Sequence, residues 1–301
     1  VYNDMLGNRQ PTNEHTLPLS GEIIGSSAGV IKAVGHYGEK YSVGKIEYQL
    51  FSEAGYQYVI SPYWDVVDGL GEEGFQGIPG IAMELRLKHY YRANRQPVFI
   101  SMRCPSEDRE DLAELLEEAG MNSYDRLEWL VRTPQQGGGD PLILEPYRKE
   151  AREFNYNGLD KLLCQLQYGD QVLISSQSAV SNNPSVYTEH LLRMVAAGAV
   201  IRFEKEKIII DKNVRSTILS ILQRQYYAGK NLQILKHRQG VEGAKHRGAY
   251  RGRRPMQIEP EKIQKISDLF HAKKISEAEA MQRLGIVSRS TFYRKLKELK
   301  N

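Results

Sequence analysis

The sequence predicts a mixed α/β protein that ends in a small helical domain. Strand-like and helix-like segments alternate over residues 20–140, and a strand-helix-strand order precedes a long run of helical spacing at 214–248. Three short helical segments then close the chain. We therefore predict five parts: a disordered start (1–19), an α/β domain (20–140), a second α/β domain ending in a long helix (150–248), a basic arm (249–256) and a three-helix domain (257–301).

The first α/β domain is predicted from punctuated strand and helix patterns. Apolar spacing predicts a helix over 81–95, and 105–121 is expected to form another, capped by Ser106. The β-branched and aromatic runs at 97–103 and 126–133 predict strands.

The second α/β domain has a clearer pattern. We expect a helix over 158–170, a strand over 171–176, a helix over 185–199 and short strands within 200–210. The helix at 214–248 exceeds 30 residues, and a small domain has no surface of that length to cover its apolar stripe. We therefore expect it to pack against a partner chain or to extend along a ligand.

Composition indicates a globular protein without a membrane segment. The chain has 301 residues, of which 41% are hydrophobic, and no run approaches the roughly 18 apolar residues of a membrane helix. Val1 suggests a trimmed start. No secretory signal is visible, and the expected location is the cytoplasm. Cys104 and Cys164 are far apart, which favours reduced, buried thiols.

The positive charge is concentrated at one end. From Lys230 onward the chain carries 18 Lys/Arg and 7 Asp/Glu, whereas the first 229 residues carry 23 and 30. Such a division is typical of a protein with a polyanionic partner, most often nucleic acid.

The tail has the pattern of a helix-turn-helix. A first helix is expected at 259–271, and a second at 276–284, where Ser276 and Glu279 form a capping box. The third helix is capped by Ser288 or Ser290 and has Phe292 and Leu296 on its inner face. Its expected outer face carries Arg289, Tyr293, Arg294, Lys295 and Lys297. A helix with such a face fits the major groove of DNA.

Residues 160–301 resemble the serine recombinases of the resolvase/invertase family. The resemblance rests on a D-x-L-L helix (Asp160, Leu162, Leu163), the Gly169-Asp170 pair before the strand VLIS, the stretch GVEGAKHRGAYRGRRP at 240–255, and SRSTFYR in the tail. It implies a long helix that forms a homodimer, an arm in the minor groove and a helix in the major groove. The residues expected to contact double-stranded DNA are Arg247, Arg251, Gly252, Arg253, Arg254, Ser288, Arg289, Ser290, Tyr293, Arg294 and Lys295.

The catalytic pattern of that family is missing. Where the resemblance implies two arginines after the strand, SSQSAVSNN places Ala179 and Asn182, and the acids of the long helix are replaced at 225–230. Cations aimed at a phosphoryl transition state contribute several kcal/mol to catalysis. No nucleophile segment is found upstream, since Thr133 before Pro134 is a poor copy.

The leading prediction is therefore a site-specific DNA-binding protein without strand cleavage. Two alternatives stay open: an active recombinase whose catalytic residues lie elsewhere, and an enzyme domain at 20–140 tethered to DNA. The role of 20–140 is expected to be the binding of a partner protein or the regulation of the DNA-bound state.

Other candidate sites are weak. GSSAG at 25–29 matches the G-x-S-x-G nucleophile motif, but it lies too near the start of the chain for the sheet that such a motif needs, so a turn is expected. Asp65, Asp68, Glu72 and Glu73 match no metal template, and a solvated acidic loop is expected there. We predict no catalytic residue, metal or cofactor.

Overall fold

The computed structural model describes residues 17–133, 139–156, 159–247 and 258–298. Residue contacts divide the chain into two compact units, Val1–Gln233 and Ile234–Asn301. The described residues form a mixed α/β protein with two sheets, which confirms the predicted fold class at that level. None of the helices among them has both the length and the apolar character needed to cross a bilayer.

The first sheet is antiparallel and has the order β4-β3-β2-β1-β5. Its strands are β1 (Ile23–Val34), β2 (Lys40–Phe51), β3 (Tyr56–Pro62), β4 (Tyr90–Ala93) and β5 (Leu142–Pro146). The expected turn at GSSAG is wrong, because this segment is the interior of β1 and pairs with β2, for example Ser27 with Tyr48. The long antiparallel pairing overrides the local turn preference of glycine and serine.

The helices beside this sheet differ from the sequence prediction. They are α1 (Trp64–Gly74), α2 (Val98–Ser101), α3 (Leu112–Glu118) and α4 (Arg126–Arg132). The predicted helix at 81–95 is instead a short 3₁₀ turn, Met83–Leu85, followed by β4.

The strands predicted at 97–103 and 126–133 are the helices α2 and α4. In α4, Asp125 caps the first turn by accepting a hydrogen bond from Glu128 N, and Leu127 and Leu130 are buried at helical spacing. Short apolar runs fit either period, and here the cap decides in favour of a helix. The expected Ser106 cap is also wrong, because α3 begins six residues later, after Asp111.

The second sheet has the order β6-β7-β8-β9. Its strands are β6 (Glu153–Asn155), β7 (Gln171–Ile174), β8 (Val200–Phe203) and β9 (Ile208–Ile210); the first three are parallel and β9 is antiparallel to β8. The helices between them are α5 (Leu159–Gln165), α6 (Gln177–Val180) and α7 (Pro184–Ala196). The predicted strands and helices of this region are present, although α5 ends before Gly169 and α6 was not predicted.

The long helix α8 (Lys212–His246) confirms the predicted helix to within two residues at each end. Its first turns are covered on one side by the chain itself. Leu219 is fully buried, and a Cβ on Gly69 would lie 2.9 Å from the Leu219 side chain, so glycine permits the close approach of α1. One hydrophobic cluster includes Ile31 of β1, Val172 of β7 and Tyr226 of α8.

The second unit contains α9 (Pro260–His271), α10 (Glu277–Leu284) and α11 (Arg289–Glu298). All three agree closely with the predicted helices. They enclose their own small core of Ile263, Ile266, Ala280, Leu284, Ile286, Phe292 and Leu296. Phe292 and Leu296 therefore face inward, as predicted.

Both cysteines are free, but only one is shielded from solvent. Cys104 is half-buried, and burial raises the pKa of its thiol to about 12. The prediction that Cys164 is buried is wrong, because it lies on the exposed side of α5.

Candidate nucleic-acid interface

The second unit presents α11 on a short, defined turn. α10 ends at Gly285, whose φ of +67° is a left-handed conformation that glycine adopts without strain. The turn then buries Ile286 in the three-helix core, while Val287 is 96% exposed. Because the turn is anchored by Ile286, the first residues of α11 have a fixed position on the surface of this unit.

The polar residues predicted on α11 lie on its outer surface. Ser288, Arg289, Ser290, Tyr293 and Arg294 are exposed, whereas Lys295 is half-buried. The hydroxyls of Ser288 and Ser290 are 2.9 Å apart. The helix begins at Arg289, so of the two predicted caps it is Ser288 that directly precedes it.

One of the two bonds of the capping box predicted for α10 is present. Ser276 Oγ accepts a hydrogen bond from the backbone nitrogen of Glu279 at 3.2 Å. Glu279 in turn accepts a hydrogen bond from Arg283 at 2.5 Å, one helical turn later. Both contacts lie within α10 and its cap, and neither involves α11.

Sequence reasoning missed one contact of the candidate interface. Arg289 forms a two-bond ion pair with Glu277, at 2.5 Å from Nε to Oε1 and 2.7 Å from Nη2 to Oε2. A spacing of 12 residues across a turn is not a pattern that helical periodicity detects, since only neighbours three or four residues apart share a helix face. The hydrogen bond from Arg289 lowers the pKa of the Glu277 carboxyl group.

The arm predicted at 249–256 lies outside the described residues, which reach Arg247 on its N-terminal side. Arg247 follows the last turn of α8, is exposed, and donates its backbone N–H to the carbonyl of Gly243 at 3.1 Å. The other predicted arm residues, Arg251, Gly252, Arg253 and Arg254, lie outside the described residues.

The segment that follows the parallel strand β7 differs in charge from the exposed face of α11. The segment 175–183 follows β7 and contains no Lys or Arg. Ala179 and Asn182, which stand where the resemblance implies cations, are both exposed. Nearby polar contacts are neutral or acidic: the hydroxyls of Ser176 and Ser178 are 2.9 Å apart, and Gln177 N donates to the Glu206 carboxylate at 3.0 Å.

Neither a known protein-family model nor a curated protein matches the chain at a significant level.

The remaining candidates form ordinary structural contacts. Thr133 Oγ1 donates to the Trp129 carbonyl at 2.6 Å and lies at the end of α4 rather than at a strand end. The acidic segment predicted as a loop is helix α1, where Asp65 pairs with Arg215 and Asp68 with Arg86. No group of three or more metal-binding side chains occurs in the part of the chain that the structure describes.

Proposed function

We propose that this protein binds a specific site on double-stranded DNA through the outer face of α11. The observation that carries the proposal is the set of polar and basic side chains exposed at the start of this helix, on a compact three-helix unit. An α-helix fits the major groove, where residues near its N-terminus reach base edges. On this proposal α10, its turn and α11 form a helix-turn-helix.

The charge of the second unit supports the same partner. Residues 234–301 carry 17 Lys/Arg and 7 Asp/Glu, whereas the chain as a whole is only +4. Cations that neutralise phosphates release counterions from DNA, which supplies affinity and makes it dependent on salt.

The second sheet and α8 fit a resolvase-like scaffold that has lost strand cleavage. β7 follows Gly169-Asp170, and the long helix follows the sheet, in the chain order that the resemblance implies. The exposed Ala179 and Asn182 carry no charge with which to stabilise a phosphoryl transition state. The protein therefore holds a site without cutting it.

The long helix also supports a homodimer. Val214, Ile221 and Leu232 are exposed apolar residues on α8, and Val214 and Ile221 are seven residues apart. Positions 221, 228 and 235 continue this spacing of seven, and the last of them is the exposed Leu235. Apolar residues that repeat every seven positions form the seam between paired helices. The opposite side of the helix, at Leu219 and Tyr226, is buried by the chain's own residues.

A mobility-shift titration tests the proposal. Binding sites are first selected from randomised duplexes with the full chain, and affinity is then compared between wild type and Arg294→Ala. We expect the variant to lose about tenfold in affinity for the selected site. Arg202→Ala is the matched control, because Arg202 is an exposed arginine of the first unit. Equal affinities for all three proteins would contradict a role for α11.

A further inference from the structure

The ion pair between Arg289 and Glu277 joins the first residues of two helices. Arg289 begins α11 and Glu277 begins α10, so the pair spans the turn between them. Hydrogen bonds from Arg289 and then Tyr293 lower the pKa of Glu277, and its carboxylate is therefore ionised at neutral pH. Arg289 is consequently held by a charged partner on the neighbouring helix.

The pair uses one edge of the guanidinium group. Arginine has five N–H donors in a rigid plane. Glu277 accepts from the edge formed by Nε and Nη2. The other edge, with one N–H on Nη1 and one on Nη2, points away from that carboxylate. The Arg289 side chain is 72% exposed and therefore accessible to a ligand, and the Tyr293 hydroxyl also interacts with its guanidinium group.

Two parallel donors at the start of an exposed helix match a specific group on DNA. Guanine presents O6 and N7 side by side in the major groove, and arginine binds them in a two-bond fork. Phosphate oxygens also accept such a fork. The position favours the base: Arg289 is the first residue of α11, and residues at this end of a groove-bound helix reach base edges.

We propose that Glu277 is a positioning residue that fixes the Arg289 fork to read one guanine of the target site. This inference rests on the proposed binding of DNA by α11. A side chain that is already held in place loses less conformational freedom on binding than a mobile one. Glu277 thus contributes to specificity without touching the DNA.

Simple electrostatics makes the opposite prediction, which allows a sharp test. Glu277→Gln removes a negative charge from a unit that faces a polyanion, so phosphate attraction alone predicts tighter binding to every sequence. A positioning role predicts instead that the preference for one G·C pair falls. The ratio of affinities for two duplexes that differ at that pair separates the two effects.

The experiment uses the full chain and duplexes selected from a random library. At each selected guanine, G·C is exchanged for A·T and the affinity ratio is measured for wild type, Arg289→Ala, Arg289→Lys and Glu277→Gln. Glu279→Gln is the matched control, because it breaks the Arg283 pair in the same helix and causes the same change in charge. Thermal unfolding of each variant verifies that the second unit is folded.

We expect wild type and Glu279→Gln to prefer one guanine by about tenfold. Both Arg289 variants are expected to lose that preference, since lysine keeps the charge but lacks the fork, and Glu277→Gln to reduce it to less than about half. A preference that survives in Arg289→Ala, or an unchanged ratio in Glu277→Gln, would overturn the inference. An equal loss of affinity for all duplexes in Arg289→Ala would show that Arg289 contacts a phosphate rather than a base, and would also overturn the inference. Failure of wild type to select any site would instead refute the proposed function itself.

Discussion

Arginine has different partners in the two units. In the first unit, Arg215 and Arg103 are each only 1% exposed and pair with Asp65 and Asp140, and Arg148 pairs with the buried Asp170. In the second unit, Arg289 and Arg294 lie on the surface of α11. Buried guanidinium groups serve the fold, because a charge inside the protein needs a partner. Arg289 instead forms an exposed ion pair with Glu277, so its guanidinium group is accessible to a ligand.

The comparison predicts that stability and DNA binding respond to different substitutions. Removing a carboxylate from the first unit should affect unfolding and leave intrinsic DNA contacts intact. Removing a cation from the second unit should affect binding with little change in unfolding.

Asp65→Ala should cause the largest loss of stability. It leaves Arg215 buried and without its carboxylate partner, which costs about 3–5 kcal/mol. Tyr168 loses the same acceptor, since its hydroxyl lies 3.0 Å from Asp65 Oδ1. Urea unfolding followed by circular dichroism measures the change.

Asp68→Ala is the control for this substitution. Asp68 lies on the same helix and pairs with Arg86, but both side chains are exposed, so the expected loss is at most about 1 kcal/mol. Equal losses in the two variants would show that the buried pair is not the stabilising element.

The double variant Ile221→Glu, Leu232→Glu should separate the proposed dimer. Each substitution places a charge in the apolar stripe of α8, and we expect dimer affinity to fall by about 100-fold. Sedimentation velocity over a range of protein concentrations measures the change. Ile24→Glu, at an exposed apolar position of β1, should leave the dimer intact. A wild-type chain that sediments as a monomer at tens of micromolar would contradict the dimer.

The arm is tested by Arg253→Ala combined with Arg254→Ala. The resemblance implies that both enter the minor groove, so their loss should lower the slope of log affinity against log salt by about one to two phosphate contacts. Titrations at several salt concentrations give the slope. An unchanged slope would remove the arm from the interface.

The smallest expected effect is a pH-dependent change in stability that depends on Glu145. This carboxylate lies 2.7 Å from Lys32 and 2.6 Å from Lys40. Burial alone would raise the pKa of Glu145, but the two lysines lower it below its usual range. Its contribution to stability is therefore present at neutral pH and is lost as the pH falls through the lowered pKa.

Glu145→Gln should accordingly cost about 1 kcal/mol at pH 7 and less at pH 3. Urea unfolding at the two pH values measures the difference. A loss of equal size at both would contradict an effect of the ionised carboxylate.

Sequence patterns predicted the second half of the chain well and the region 81–133 badly. α7, α8 and the three tail helices have sustained apolar spacing and recognisable caps, such as Ser276. The segments that became α2 and α4 are short apolar runs that fit a strand or a helix equally well. The Asp125 cap decides in favour of a helix for α4, whereas α2 has no side-chain cap and periodicity alone does not distinguish a helix from a strand there.

The candidate interface shows the same limit. Exposure of Ser290 and Arg294 could be predicted from the buried Phe292, because residues two positions away lie on the opposite side of a helix. The partner of Arg289 could not, since Glu277 is brought near by the turn at Gly285 and Ile286. Likewise, α8 packs against Gly69 of α1, a helix that is far away in the sequence.

The central claim is that the protein holds a DNA site without cutting it. Its most direct test incubates the full chain with supercoiled plasmid that carries two copies of the selected site, followed by footprinting and by denaturing electrophoresis of the same sample. We predict a protected site, intact strands and no inversion or deletion between the copies. Nicked DNA attached covalently to the protein, or recombination abolished by substitution of a single serine or threonine, would contradict the account.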